Sequence, residues 1–263
     1  MDSIFIIQII ISFVVAGAWI AFATLAAERL GSKIGGLITN LPSNILISMI
    51  FIAIVHDTSF VVATVPSIPL GMAIDTLFLF AFIIFLRWGL VISTSLSLFI
   101  WFLLAIIAAN LNFSNLVANL FVYIIITIIC FILLEKFYLF PGVKKSNKKY
   151  SINQILVRAI FAGGVVASIV LISKFFNPYI VGIFSAFPAV LLTSMIILTM
   201  NQNKEFAQAT GKVLILSSSN IVVYSLAVYN TFPKFGMIIG TIISFIVAFV
   251  WIWLFLPIVR KIA

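Results

Sequence analysis

Acidic side chains are scarce in this 263-residue chain, and their positions decide where charge chemistry can occur. There are six. Asp2, Asp57 and Glu205 fall in loops or at ends, Glu28 adjoins Arg29, and Glu135 adjoins Lys136. Asp75 alone lies deep within an apolar run. A charge at the centre of a bilayer costs about 2.5–3.5 kcal/mol on insertion scales. A carboxyl kept there points to proton or cation coupling. The competing reading is a structural Asp, protonated or held by hydrogen bonds. Lys212 is a candidate partner for it.

Two prolines interrupt apolar runs in matching surroundings. Gly36-Leu-Ile-Thr39-Asn40-Leu-Pro42-Ser43 leads into Leu46, Ser48, Met49 and Ile50. Gly182-Ile-Phe-Ser185-Ala186-Phe-Pro188-Ala189 leads into Leu192, Ser194, Met195 and Ile196. Proline removes a backbone donor and breaks or kinks a helix. In lipid the freed carbonyls need protein, water or ligand partners. A helix N-terminus starting at such a break attracts anions or polar groups. The simpler reading of either proline alone is a packing kink. A third polar patch, Ser217-Ser218-Ser219-Asn220, lies mid-run. The candidate substrate-binding set is Thr39, Asn40, Pro42, Ser43, Ser185, Pro188, Ser217, Ser218 and Asn220, with Asp75 as the coupling residue.

Other chemistries lack their parts. His56 is the lone histidine, beside Asp57, and reads as a solvated loop residue. Cys130 is the lone cysteine, so an intrachain disulfide and a cysteine metal site are excluded. No nucleotide loop, Ser–His–Asp set or paired intramembrane Asp is present. The expectation is a non-enzyme with no cofactor and no bound metal.

These residues must be positioned by membrane helices. Apolar residues make up 64% of the chain and charged ones 8%. Soluble domains carry about 25% charge, so lipid is the solvent for most of this surface. Nine apolar runs reach spanning length: Ile4–Ala27, Ile34–Val55, Phe60–Leu86, Gly89–Ala109, Leu116–Leu134, Ile155–Ile172, Ile180–Met200, Val213–Tyr229 and Gly236–Pro257. The first has Asp2 and no basic residue before it, so it reads as a retained helix, not a signal peptide.

The net charge of +9 does not indicate nucleic acid, because basic residues edge the apolar runs. Placing Lys144, Lys145, Lys148 and Lys149 in the cytoplasm puts Arg29, Lys33, Arg87, Lys136, Arg158, Lys204, Arg260 and Lys261 there too. Lys174 and Lys234 fall outside, and Lys212 is ambiguous. This positive-inside pattern predicts a multi-pass cell-membrane protein with its N-terminus outside and its C-terminus cytoplasmic.

The proline segments belong to a longer self-similarity. The same offset pairs Ala16-Gly17 with Ala162-Gly163, Phe60 with Phe206, Ala63-Thr64 with Ala209-Thr210, and Phe99-Ile100 with Phe245-Ile246. Runs one to four map onto runs six to nine, and five crossings separate each run from its mate. The fold class expected is an all-α membrane protein of about nine transmembrane helices. It comprises two inverted-topology four-helix repeats joined by a linking helix: residues 1–110, a linking helix and basic loop over 111–150, and residues 151–263. Inverted repeats are common in secondary transporters.

The Gly-x-x-x-x-x-Pro pattern after a short basic loop, in Gly36–Pro42 and Gly182–Pro188, resembles the GlpM-type family of small uncharacterised membrane proteins. Those chains are about half this length, so the resemblance implies two such units fused and carries no activity onto particular residues. The function expected is secondary transport of a small polar or anionic solute through a midplane site, coupled to protons or cations. The alternatives are a lipid flippase or scramblase and a non-transporting scaffold of an envelope pathway. The expected partners are the bilayer and a small-molecule or lipid substrate, with no nucleic acid and with self-association left open.

Overall fold

The computed structural model describes residues 2–29, 41–137 and 150–262. Among these residues all regular structure is helical: α1 (Ser3–Arg29), α2 (Ser43–Val55), α3 (Thr58–Thr64), a 3-10 turn (Val65–Ser67), α4 (Ile68–Phe85), a 3-10 turn (Leu86–Trp88), α5 (Leu90–Leu111), α6 (Leu116–Phe137), α7 (Ile152–Ser173), α8 (Pro178–Ser185), α9 (Ala189–Asn201), α10 (Lys204–Ser217) and α11 (Ser219–Ile262). Among the described residues seven segments are long and apolar enough to cross a membrane, the longest being Lys204–Leu254; Ser43–Val55 is a shorter apolar helix.

Side-chain caps start the helices that begin at polar loops. Asp57 accepts from the Phe60 amide, Asn177 from Ile180 and Asn203 from Phe206. Ser151 and Gln154 form a capping box. α2 and α9 begin inside apolar sequence, at Pro42 and Pro188, and have no side-chain cap.

The two uncapped starts share their geometry. Pro42 has φ −76°, ψ 51°, and Pro188 has φ −76°, ψ 45°. The Ser43 amide bonds to the Leu41 carbonyl (2.7 Å), and the Ala189 amide to the Phe187 carbonyl (2.8 Å). Each proline is therefore the centre of an inverse γ-turn. The far ends match as well, at His56 (φ −113°, ψ −93°) and Gln202 (φ −107°, ψ −93°).

Outward faces are apolar at helical spacing. α5 exposes Ile92, Leu96, Phe99, Leu103 and Ile106, and α6 exposes Phe121, Ile125, Ile128 and Ile132. Such stripes suit hydrocarbon. The segment Thr58–Trp88 is the most buried of the seven and forms the centre of the molecule. Within that segment Pro66 lies in the 3-10 turn before α4, whereas Pro69 and Gly71 lie in the regular first turn of α4.

α1 and α7 pack tightly and run antiparallel. Lys174, just beyond α7, is 3.7 Å from Asp2 and 4.4 Å above the Phe5 ring. Further along, Gly17 faces the Ala159 carbonyl and Gly163 faces the Phe13 carbonyl. A Cβ at Gly163 would lie 2.6 Å from that oxygen, so only glycine permits the approach.

α11 doubles back on itself. Gly236 adopts φ 70°, ψ −177°, open to glycine alone. Thr231 and Ser244 then meet at 2.9 Å, and the Trp251 indole donates to Ser219 across 3.0 Å. Lys204–Leu254 is thus a hairpin, not one rod.

Candidate functional site at the proline break

Asp75 sits in α4, 2% exposed. Gly71, one turn earlier on the same face, allows close approach of α8: a Cβ there would lie 2.7 Å from the Ala186 Cβ. Asp75 therefore faces the region where the chain leaves α8 and turns at Pro188. Trp101 of α5, fully buried, donates its indole N–H to Asp75 Oδ1 at 2.7 Å. The same indole stands edge-on to Phe184 (5.7 Å) and Phe187 (4.8 Å), and Phe161 of α7 packs on Phe187 from beyond (6.2 Å). One aromatic side chain thus ties the intramembrane carboxyl to the broken helix.

Polar groups from α6 and the junction of α10 and α11 adjoin this pair. Thr76 and Thr127 lie 3.4 Å apart. The buried Tyr123 hydroxyl lies close to Thr127 and Ser218, and meets the geometry of a hydrogen bond with neither. Carboxyl, indole, phenol and three hydroxyls are suited to proton exchange and to binding a small polar group. No set of three His, Cys, Asp or Glu able to hold a metal occurs among the described residues.

The sequence-derived set divides on this frame. Asp75 is joined through Trp101 to Phe187, the neighbour of Pro188, and Ser218 lies close to Tyr123. The Ser185 hydroxyl is donated to the Val181 carbonyl (2.7 Å). Ser217 (9% exposed) and Asn220 (1%) are buried at the start of the α11 hairpin. Pro42 and Ser43 occupy the other break, and among the described residues no side-chain hydrogen bond joins them to Asp75. Thr39 and Asn40 lie outside the described residues. Lys212 does not partner Asp75: its ammonium is 2.8 Å from Glu135, across α10 and α6. Glu135 consequently answers Lys212 in space, although Lys136 is its neighbour in sequence. His56 is exposed, stacked on Phe60 at 4.0 Å and 3.2 Å from Ser173.

Several residues of the site carry weak sequence signals. Trp101 is one of five tryptophans and lies a helix away from Asp75. Asn44 and Ser48, one turn apart on α2, bury polar atoms that reach no partner among the described residues. Asn44 directly follows the Pro42-Ser43 pair, which was the available clue. No family model, curated protein or solved structure matches the chain.

Proposed function

We propose that the chain is a secondary transporter that moves a small polar or anionic solute through a midplane site, with Asp75 as its coupling carboxyl. It would be built from two inverted four-helix repeats, residues 1–110 and 151–263, joined by α6 and the basic loop. The observation that carries this reading is the pair of matched breaks. Two inverse γ-turns at Pro42 and Pro188 launch thirteen-residue helices, and the first helices of the two halves run antiparallel through Gly17 and Gly163. Broken helices at equivalent positions of opposed halves are how many transporters expose backbone to a solute.

The hairpin in α11 divides Lys204–Leu254 into two passes, which brings the seven long segments to eight, and the run containing Ser43–Val55 would be the ninth. An odd number leaves the termini on opposite sides, and the charge pattern puts the C-terminus in the cytoplasm. A fused pair of GlpM-type units would have this arrangement. The Asp75–Trp101 contact beside Pro188 supports coupling at the break, because a proton or cation gained by Asp75 changes what its neighbours can bond.

Solute flux into proteoliposomes, driven by a pH or Na⁺ gradient, tests the proposal. Wild-type protein should show gradient-dependent uptake of small polar or anionic solutes, and Asp75→Asn should uncouple it. Gradient dependence that survives in Asp75→Asn would remove Asp75 from the mechanism. Absence of flux across a panel of such solutes would sink the transport reading.

A further inference from the structure

Three acidic or basic side chains are buried among the described residues: Asp75, Lys212 and Arg158. The first is held by Trp101 and the second by Glu135. Arg158 is different. It is 3% exposed, its side chain lies close to Tyr150, and its Nε reaches no partner among the described residues. Among the described residues no carboxylate lies within ion-pair distance of it.

A guanidinium stays protonated under all ordinary conditions. Burying one without a counter-charge costs several kcal/mol, and hydrophobic replacements of buried ions are often neutral or stabilising. A purely structural role is therefore poorly served by Arg158. Phe161, three positions on, packs against Phe187 at the break. Gln154, four positions back, exchanges hydrogen bonds of 2.8 and 2.9 Å with Asn201 at the end of α9. Residues three and four apart share a helix face. Arg158 thus lies on the α7 face between Phe161, which packs at the Pro188 break, and the Gln154–Asn201 amide pair. The basic run of Lys144, Lys145, Lys148 and Lys149 ends just before Tyr150 in sequence. Such a run raises the local concentration of anions.

We infer that Arg158 is an anion-binding residue, and that the group it takes is a carboxylate or a phosphate held by the planar guanidinium fork. This deepens the transport reading, on which it rests for identifying that anion as the carried solute. The binding site itself stands on the buried, unanswered charge.

The test is thermal unfolding of the purified protein in detergent, at constant ionic strength set with chloride. The probes are inorganic phosphate, succinate and, separately, phosphatidylglycerol in mixed micelles. Phosphate or succinate should raise the melting temperature of the wild type. The shift should vanish in Arg158→Met and need at least tenfold more anion in Arg158→Lys, which keeps the charge but not the fork. Without anion, Arg158→Met should melt at or above the wild-type temperature. An Arg158-dependent shift with phosphatidylglycerol alone assigns the anion to a lipid headgroup. The inference fails if none of the three probes shifts the wild type, or if the shift is unchanged in Arg158→Lys and Arg158→Met alike. It also fails if Arg158→Met melts well below wild type, since that marks a structural residue. Stabilisation by anion without any solute flux removes the transport reading and leaves the site. Flux unaltered in Arg158→Met leaves the transport reading and shows that the anion held at Arg158 is not the carried solute.

Discussion

Three glycine-to-alanine substitutions test the α1–α7 crossing by their order. At Gly163 a Cβ would sit 2.6 Å from the Phe13 carbonyl oxygen and 3.2 Å from the Phe13 ring. The carbonyl belongs to helix backbone and cannot swing away, so α1 and α7 must separate. A gap of about 0.5–1 Å forfeits a quarter to a half of each dispersion contact across it. Overpacking of this kind costs about 1–3 kcal/mol. At Gly17 the corresponding distance is 3.1 Å, which small shifts absorb. At Gly164 nothing lies within 4 Å, so Gly164→Ala should be neutral or gain up to about 1 kcal/mol in helix propensity. That gain applies to all three positions, and subtracting the Gly164→Ala result isolates the packing term. The assay is reversible unfolding in mixed micelles titrated with SDS, followed by far-UV circular dichroism. The expected order of stability is Gly164→Ala, then Gly17→Ala, then Gly163→Ala. Equal effects at 163 and 164 would refute the close antiparallel crossing.

Four further outcomes follow from the side-chain contacts and the charge pattern. Trp101→Phe removes the donor to Asp75 and should cost about 1.5–3 kcal/mol in the same titration; Asp75→Asn keeps an acceptor for that indole and should cost much less. A double-mutant cycle with Lys212→Met and Glu135→Gln should return a coupling of roughly 1 kcal/mol, because Glu135 is half exposed and solvent screens it. The Ser59 hydroxyl and then the Phe60 amide hold the Asp57 carboxyl below its ordinary range. Asp57 is therefore a more stabilising cap above the unfolded carboxyl pKa of about 3.9. That contribution fades as pH falls through the lower folded value. Faster hydrogen exchange at the Phe60 amide in acid should report the loss, and Asp57→Asn, copying the Asn203 cap, should abolish the acid response. A cysteine placed within residues 144–149 should stay unlabelled by impermeant thiol reagents in intact cells. Labelling there would reverse the topology.

The legible parts of the fold are those written by local chemistry. Asp57 and Asn203 announce helix starts through their own side chains. Pro42 and Pro188 announce breaks, and Pro233-Lys234 marks the turn that Gly236 makes. Asp75 stands out because a lone carboxyl in an apolar run has no cheap explanation. What was not legible depends on distant partners. Whether Lys212 meets Asp75 or Glu135 is decided by which helices adjoin α10, and hydropathy does not encode that. Arg158 lies seven residues into α7, close enough to its start to resemble a topology-setting surface charge. Its burial depends on the helices packed against α7, among them α1, α2 and α9. Trp101 is likewise an ordinary aromatic until α5 is laid against α4.

The two inverse γ-turns also have a mechanical consequence. Proline fixes φ near −65° through its ring, so the turn at Pro42 or Pro188 has one soft torsion left at that residue, its ψ. Rotation about that bond swings α2 or α9 as a rigid rod, along an arc rather than through a cone. At each break the proline itself thus contributes a single axis, and the direction of a swing about it is set by covalent geometry.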